Sequence, residues 1–120
     1  MTPETPVVNL RVKQGSEFRW TYQYVEDDGV TPIPLSGFTA RAQVRESVWS
    51  SDYVYEATTE NGGLEITDPA NGIVLFKIPG AESTSWLIDK GVYDIELVDG
   101  ASKPYRLVQG EISISREVTR

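Results

Sequence analysis

Asp94 and Glu96 are the pair of residues in this sequence whose types and spacing come nearest to a catalytic arrangement. They are two positions apart, so in a β-strand both would project from the same face. Pairs of carboxyl groups cleave glycosidic bonds when they flank a sugar at a separation of several ångströms. Here they alternate with Tyr93, Ile95 and Leu97, which is typical of the polar side of an amphipathic strand. We therefore interpret them as outward-facing strand residues rather than catalytic groups.

Asp27 and Asp28 form a second acidic cluster, in a turn that begins at Glu26 and ends at Gly29. Carboxylate oxygens are ligands that calcium prefers, but a dedicated calcium loop alternates its acidic residues along the chain, and this turn does not. The sequence leaves open whether Asp27 and Asp28 bind calcium. A solvated turn, in which the acidic side chains cap backbone amides, is the simpler interpretation.

The residue types that perform most hydrolytic and metal chemistry are missing from the sequence. The 120 residues include no cysteine and no histidine, which excludes disulfides, thiolate nucleophiles, sulfur-ligated metals and the commonest general base. Ser83, Thr84 and Ser85 therefore have no histidine with which to form a triad. We predict a protein that is not an enzyme and that has no metal site and no cofactor.

Charge and hydropathy narrow the range of partners. Eighteen acidic residues outnumber eleven basic ones, giving a net charge of −7, whereas binding to phosphate backbones requires clustered lysine and arginine. No apolar run approaches the length needed to span a membrane, and residues 1–6 lack the features of a signal peptide. The expected protein binds neither nucleic acid nor membrane and is made in a cytoplasm.

The elements that position these residues are short alternating segments. Residues 16–25, 38–45 and 91–98 each alternate apolar and polar side chains with a period of two, which predicts half-buried strands. Residues 64–67 and 72–78 flank a turn containing proline, asparagine and glycine, which predicts a hairpin. Further strands are expected early in the chain, near residues 53–58, and after residue 104.

Two glycine-bounded segments interrupt this pattern. One or two helical turns are expected within residues 81–88, where Trp86 and Leu87 would cover an open end of the core. Gly110 is expected to allow a bulge or bend between the last two strands. The whole pattern predicts an all-β fold, an antiparallel, immunoglobulin-like β-sandwich of about eight strands. Residues 1–6 would form an extended arm and residues 7–120 a single domain.

Several short motifs follow one another along nearly the whole chain. They are Gln14-Gly15-Ser16, Pro34 to Arg41 leading to Val44-Arg45, Gly72 to Leu75, Gly91 to Leu97, and Gly110 to Ile114 with Val118-Thr119. In their order and spacing the chain resembles small β-sandwich proteins of tailed bacteriophages, akin to the N-terminal domain of phage baseplate upper proteins. The resemblance implies a non-enzymatic virion component of the tail, baseplate or neck, present in several copies as a homo-oligomer or ring with other phage structural proteins.

Within such an assembly, terminal segments and exposed side chains are the expected contacts. Termini with unpaired backbone are readily captured by a neighbouring sheet edge. Arg41 and Arg45, with Gln43 between them, form a polar row that is normally solvated and paired with carboxylates, and in an assembly it could instead meet the acidic surface of a neighbour. The candidate interface residues are Thr2, Pro3, Pro6, Val8, Arg41, Arg45, Trp49, Ile112, Ile114 and Val118.

Two alternatives remain open at the level of sequence. A carbohydrate-binding module would stack sugars on exposed aromatic rings, and it requires Trp49 or Trp86 to lie exposed beside another ring. An acid–base enzyme using Asp94 and Glu96 would require a cleft around both carboxyl groups.

Overall fold

Two packed β-sheets make up the part of the chain that a computed structural model describes, residues 5–119. The strands are β1 (Leu10–Lys13), β2 (Phe18–Gln23), β3 (Thr39–Arg45), β4 (Tyr55–Thr58), β5 (Leu64–Asp68), β6 (Ile73–Ile78), β7 (Lys90–Val98) and β8 (Pro104–Ser115). A 3-10 turn, Pro69–Asn71, joins β5 to β6, and a single helical turn, α1 (Gly80–Thr84), lies between β6 and β7. No helix in the described residues is long and apolar enough to cross a membrane.

The strand order confirms the predicted immunoglobulin-like sandwich. The larger sheet has the order β1-β8-β7-β3-β4 and the smaller β2-β6-β5, which matches the C′CFG and BED groupings of immunoglobulin-like domains. All pairings are antiparallel except that of β1 with β8, which is parallel. The first strand therefore joins the larger sheet beside the last one.

The core lies between the two sheets and is built from alternate residues of each strand. On β7, Tyr93, Ile95 and Leu97 are buried, as the period of two predicts. From the smaller sheet, Phe76 of β6 stacks against Tyr93 with ring centroids 6.2 Å apart, and Phe18 meets Phe76 edge-on. Each large apolar side chain buried in this way contributes roughly 1.5–3 kcal/mol to folding.

From Pro6 onward, the N-terminal segment is hydrogen-bonded to the larger sheet. Gln109 donates its backbone N–H to the Pro6 carbonyl at 3.2 Å, and Val8 donates to the Gln109 carbonyl at 2.9 Å. The Tyr93 hydroxyl also donates to the Val8 carbonyl at 2.6 Å. Pro6 and Val8 are thus held by their own domain. The predicted contacts at Thr2 and Pro3 lie outside the described residues.

Gly110 does not produce the expected bulge or bend, but it leaves room for the N-terminal segment to cross the strand. The last strand runs unbroken through Gly110, and its irregularity lies instead opposite Ile95 and Glu96. A Cβ atom at position 110 would lie 2.8 Å from the carbonyl carbon of Val8. Glycine is therefore needed here because the N-terminal backbone passes directly over the strand.

Ile112 and Ile114 belong to the core, so their predicted role as contact residues needs correction. Strand β8 lies between β1 and β7, and β1 pairs with it along residues 112–115, while Ile112 is 0% exposed. Both side chains point into the sandwich, and neither is accessible to a partner. Val118, beyond the end of the strand, is 94% exposed.

The connection after α1 bears out one of its two predicted core residues. Trp86 is 3% exposed, and its Nε1 donates to Glu82 Oε2 at 3.1 Å. Leu87 was expected beside it in the core but is 91% exposed. Arg116 holds this stretch through the Trp86 and Leu87 carbonyls, each at 2.9 Å. Consecutive residues of this non-helical stretch face opposite sides, so only one of them reaches the core.

Candidate functional site

The outer surface of the larger sheet carries a cluster of charged and amide side chains, which we call the charged face. Its members are Arg41, Gln43 and Arg45 of β3, Glu56 of β4, Asp94 and Glu96 of β7, and Arg106 and Gln109 of β8. Register brings these side chains together, since Glu96 is paired with both Arg41 and Arg106. In the next row, Gln43 is paired with both Glu56 and Asp94.

Ion pairs connect neighbouring strands of the charged face. Arg41 donates from Nε to Glu96 Oε1 at 2.7 Å, and Arg106 Nε lies 3.6 Å from Asp94 Oδ2. The interpretation of Asp94 and Glu96 as outward-facing strand residues is confirmed, and Arg41 of the arginine row is paired with a carboxylate, as that row is expected to be. Because these pairs are partly exposed, each contributes only about 0.2–1 kcal/mol. Their main effect is to hold the arginines in fixed positions.

Arg45 connects the charged face to the loop that follows β3. One of its guanidinium nitrogens donates to Gln43 Oε1 at 2.6 Å and the other to the Ser50 carbonyl at 3.0 Å. Gln43 in turn donates to Glu56 Oε2 at 2.8 Å. The hydrogen bonds therefore continue without a break from β4 through β3 to residue 50.

Trp49 occupies the tip of that loop, which we call the Trp49 turn (residues 47–50). Ser50 N–H donates to the Ser47 carbonyl and Ser47 N–H donates to Ser50 Oγ, both at 3.1 Å. Trp49 N–H donates to Ser47 Oγ at 3.3 Å. The turn backbone is thus closed by its own hydrogen bonds, while the Trp49 side chain is 90% exposed.

A shallow depression of about 770 Å³ covers the charged face. Val7 and Val48, both exposed, line it together with the polar side chains. Three arginines and three carboxylates border the depression, so it is charge-balanced in a chain whose net charge is −7. An apolar margin around a polar floor suits a protein contact better than a small-molecule site, which is normally deeper and more apolar.

The acidic turn at Asp28 is closed by its own hydrogen bonds. Asp28 Oδ1 accepts from the backbone N–H groups of Val30 and Thr31 at 2.8 Å, and Oδ2 accepts from the Thr31 hydroxyl at 2.5 Å. No group of three potential metal-ligating side chains occurs within residues 5–119. The structure thus supports the interpretation of a capped turn and gives no reason to propose calcium there.

Asp94 and Asp28 have pKa values shifted in opposite directions. Burial raises the pKa of Asp94 above its usual 3.8, although Arg106 acts against this shift. Hydrogen bonds from Thr31 and Val30 lower the pKa of Asp28. A raised folded-state pKa gives stability that is lost as pH rises through that pKa, whereas a lowered one gives stability that is lost as pH falls.

We expect Asp94→Asn and Asp28→Asn to change the pH dependence of stability with opposite signs. The free energy of unfolding of the wild type minus that of Asp94→Asn should fall as pH rises from about 3 to about 6, and the corresponding difference for Asp28→Asn should rise. Urea denaturation across this range measures both. Slopes of the same sign would contradict the assigned environments.

The structure brings together only some of the residues predicted from sequence. Arg41 and Arg45 share the charged face, and Arg45 is hydrogen-bonded to the Trp49 turn, while Val118 lies beyond the C-terminal end of β8. Arg106 and Gln109 were not predicted as members of the site. The alternation of Tyr105, Arg106 and Leu107 assigns Arg106 to an outward position, but only the pairing of β8 with β7 shows which carboxylates it meets.

The fold separates Trp49 from Trp86, the two residues on which the carbohydrate-binding alternative depends. Tyr55 and Trp86 pack against each other, with ring centroids 6.1 Å apart, and the Tyr55 hydroxyl donates to the Lys77 carbonyl. Trp49 and Tyr53 are exposed. The described ring pairs do not include Trp49, so it does not form the expected two-ring platform.

Comparison with known proteins yields a likeness to immunoglobulin-like domains. One similar solved structure is a strand-swapped dimer of the mouse leukocyte-associated immunoglobulin-like receptor 1 domain, with 14% identity, 89% of this chain and 88% of that chain covered, and a TM-score of 0.49. Another is the ZIG-8–RIG-5 IG1–IG1 heterodimer, with 11% identity, 95% and 85% coverage and a TM-score of 0.45.

Drosophila OTK extracellular domains 3–5 are also similar, at 17% identity and a TM-score of 0.41. The match covers 91% of this chain and 33% of that one. No family model matches the sequence, and neither does any curated protein. At these identities the likeness concerns the fold alone.

Proposed function

We propose that this chain is a non-enzymatic protein-binding domain whose contact surface is the charged face together with the Trp49 turn. The observation that carries the proposal is the position of Trp49, 90% exposed on a turn closed by its own hydrogen bonds. Tryptophan and arginine are the residue types most enriched in binding hot spots. A partner that covers Trp49 would remove a large apolar surface from water.

The side chains of the charged face are held in place before any partner binds, which supports the same proposal. Arg41 and Arg45 are already held by Glu96, Gln43 and the Ser50 carbonyl, so little side-chain freedom remains to be lost on binding. Because its charges are balanced, the face selects a partner by matching a pattern of both signs. Such complementarity contributes to specificity and to the rate of association.

The same contacts argue against catalysis by Asp94 and Glu96. Each carboxylate lies against an arginine on an open sheet surface, and the Asp94 side chain is 42% exposed. General acid–base catalysis of glycoside cleavage needs two carboxyl groups that flank a bound sugar. A shallow, water-accessible face provides no such enclosure.

The finer proposal is a structural protein of a tailed bacteriophage virion, in the tail, baseplate or neck. It is supported by the motifs described above, from Gln14-Gly15-Ser16 to Val118-Thr119, and a small β-sandwich suits such a role. The chain would be made in the host cytoplasm and incorporated in several copies beside other phage structural proteins.

Site-specific photo-cross-linking tests both levels of the proposal. A benzophenone amino acid at position 49 is expected to cross-link a partner protein in the cells that make the chain, whereas the same group at position 87 is not. Leu87 is a matched control because its side chain is as exposed as that of Trp49 but does not lie on the charged face. A phage structural protein as the captured partner would support the finer proposal, and any other protein would limit support to the general one.

A carbohydrate partner is the second candidate, favoured by the exposure of Trp49 alone. In that case position 49 captures no protein, and a glycan array binds the wild type but not Trp49→Ala. Equal cross-linking at positions 49 and 87 would contradict the proposed surface.

A further inference from the structure

Strand β2 is an unpaired edge of the smaller sheet. It pairs with β6 on one side, through the register Phe18 with Ile78 to Gln23 with Ile73. On its other side, no backbone hydrogen bond joins it to another part of residues 5–119. An unpaired edge of this kind is a template for a further strand.

The register identifies the backbone groups on the open side. Tyr24 N–H donates to the Gly72 carbonyl at 2.8 Å, which continues the pairing of Tyr22 with Val74. Directly bonded pairs alternate along an antiparallel ladder, so residues 18, 20, 22 and 24 point their N–H and C=O groups towards β6. The backbone N–H and C=O groups of Arg19, Thr21 and Gln23 therefore point away from β6, towards the open edge of the sheet.

The other edge strands are less suited to pairing. Strands β1 and β4 have only four residues each, and β5 contains a register irregularity between Ile66 and Asp68. Short edges and bulges are the devices by which proteins prevent strand addition. Strand β2 has six residues, contains no proline and has no charged residue on its inward side.

The inward side of β2 also carries apolar surface that its own domain does not fully cover. Phe18, Trp20 and Tyr22 pack against the core but are only half-buried. The smaller sheet has three strands against five in the larger one, so no further strand lies beyond β2 to cover these rings.

We propose that β2 pairs with β2 of a second copy of this chain, antiparallel and across a two-fold axis at Thr21. Thr21 would then face the partner's Thr21, Arg19 would face the partner's Gln23, and Trp20 would lie beside the partner's Tyr22. The backbone groups of Arg19, Thr21 and Gln23 in the two copies would then form about six hydrogen bonds across the axis, two for each directly bonded pair. The result is a continuous sheet with three strands from each copy.

Side-chain chemistry favours this partner and this register. The two arginines at position 19 are kept apart, and facing threonines and facing aromatic rings are favourable cross-strand pairs. Glu17 lies opposite the partner's Val25 rather than opposite a carboxylate. Burial of Trp20 and Tyr22 by the same residues of the second copy completes the part of the core that one copy leaves half-covered.

The dimer is expected to be weak. One pair of strands buries less area than a standard interface, and each copy carries a charge of −7. We therefore expect monomer–dimer exchange between roughly 10 μM and 1 mM. The charged face lies on the other sheet, so the pairing of β2 does not depend on it. An experiment can therefore contradict one of the two proposals and leave the other standing.

Disulfide trapping tests the pairing directly. The chain has no cysteine, and facing residues of a bonded antiparallel pair have Cα atoms about 5.5 Å apart, within the range of a disulfide. Thr21→Cys is expected to form a covalent dimer on oxidation. Thr67→Cys, at an exposed position of the opposite edge strand, is the matched control and should remain monomeric.

Sedimentation equilibrium with Thr21→Lys and Thr67→Lys provides a second measurement. Two lysines facing each other at the axis should weaken dimerisation at least tenfold, partly recovered by added salt, whereas Thr67→Lys should match the wild type. A wild type that is monomeric at about 1 mM, or equal trapping of both cysteine variants, would overturn the proposal. If β2 instead pairs with a strand of a different protein, the wild type would remain monomeric in this measurement.

Discussion

Replacement of Trp86 by alanine is expected to lower the free energy of unfolding by about 3–5 kcal/mol. Trp86 is 3% exposed, its ring packs 6.1 Å from that of Tyr55, and its Nε1 hydrogen-bonds to Glu82. Truncation would leave a cavity at the end of the core, below the connection that Arg116 fastens. Because domains of this size have a total stability of about 5–15 kcal/mol, the loss is a large share of it.

Urea denaturation measures this loss, with Trp49→Ala as the control. The same substitution at an exposed position should change stability by less than about 0.5 kcal/mol. Trp86→Phe keeps much of the packing and should cost less than Trp86→Ala. Equal destabilisation by Trp49→Ala and Trp86→Ala would contradict the positions that the structure assigns to the two side chains.

Trp49→Ala is expected to weaken binding of the partner captured by cross-linking at position 49 by at least about 30-fold, which corresponds to about 2 kcal/mol. The physical reason is that Trp49 offers a large rigid apolar surface on a turn that needs no ordering. Isothermal titration calorimetry gives the affinity, and the melting temperature shows that the fold is unchanged. Leu87→Ala removes an equally exposed apolar side chain and should bind as the wild type does.

The Arg45→Lys variant tests, in the same binding assay, whether Arg45 acts by holding the Trp49 turn in place. Arg45→Lys keeps the charge but loses the planar fork that reaches Gln43 and the Ser50 carbonyl together. We expect a smaller loss of affinity than for Trp49→Ala, accompanied by faster amide hydrogen exchange in the Trp49 turn. Full affinity for Trp49→Ala would remove the basis of the proposed surface.

Most of the strands could be predicted because their signal is local. The alternation around Ala40, Ala42 and Val44 assigns each side chain to a face without knowledge of any neighbour, and all three are buried. The hairpin at Asn71-Gly72 is equally local, because Gly72 adopts the left-handed conformation with φ of 68° that the turn needs. Such features depend on backbone geometry over a few residues.

The errors have a common origin in contacts between distant segments. Glycine at position 110 predicts a bulge or bend from local sequence, whereas its actual cause is the Val8 backbone that crosses it, a contact its sequence neighbours do not reveal. The terminal position of Ile112 and Ile114 in the sequence predicts an open strand edge, but β1 pairs with that edge along residues 112–115. Trp49, Trp86 and Leu87 cannot be distinguished by type or by local periodicity.

Composition and the period of two were sufficient to establish an all-β chain without histidine or cysteine chemistry and to assign an inner and an outer side to most strands. The joining of Arg41, Glu96 and Arg106 into one charged face, the attachment of the N-terminal segment to β8 and the open edge of β2 became known from the folded molecule. Sheet order and register set these features, and they depend on which distant segments pair. Side-chain alternation specifies the face of a strand but not its neighbour.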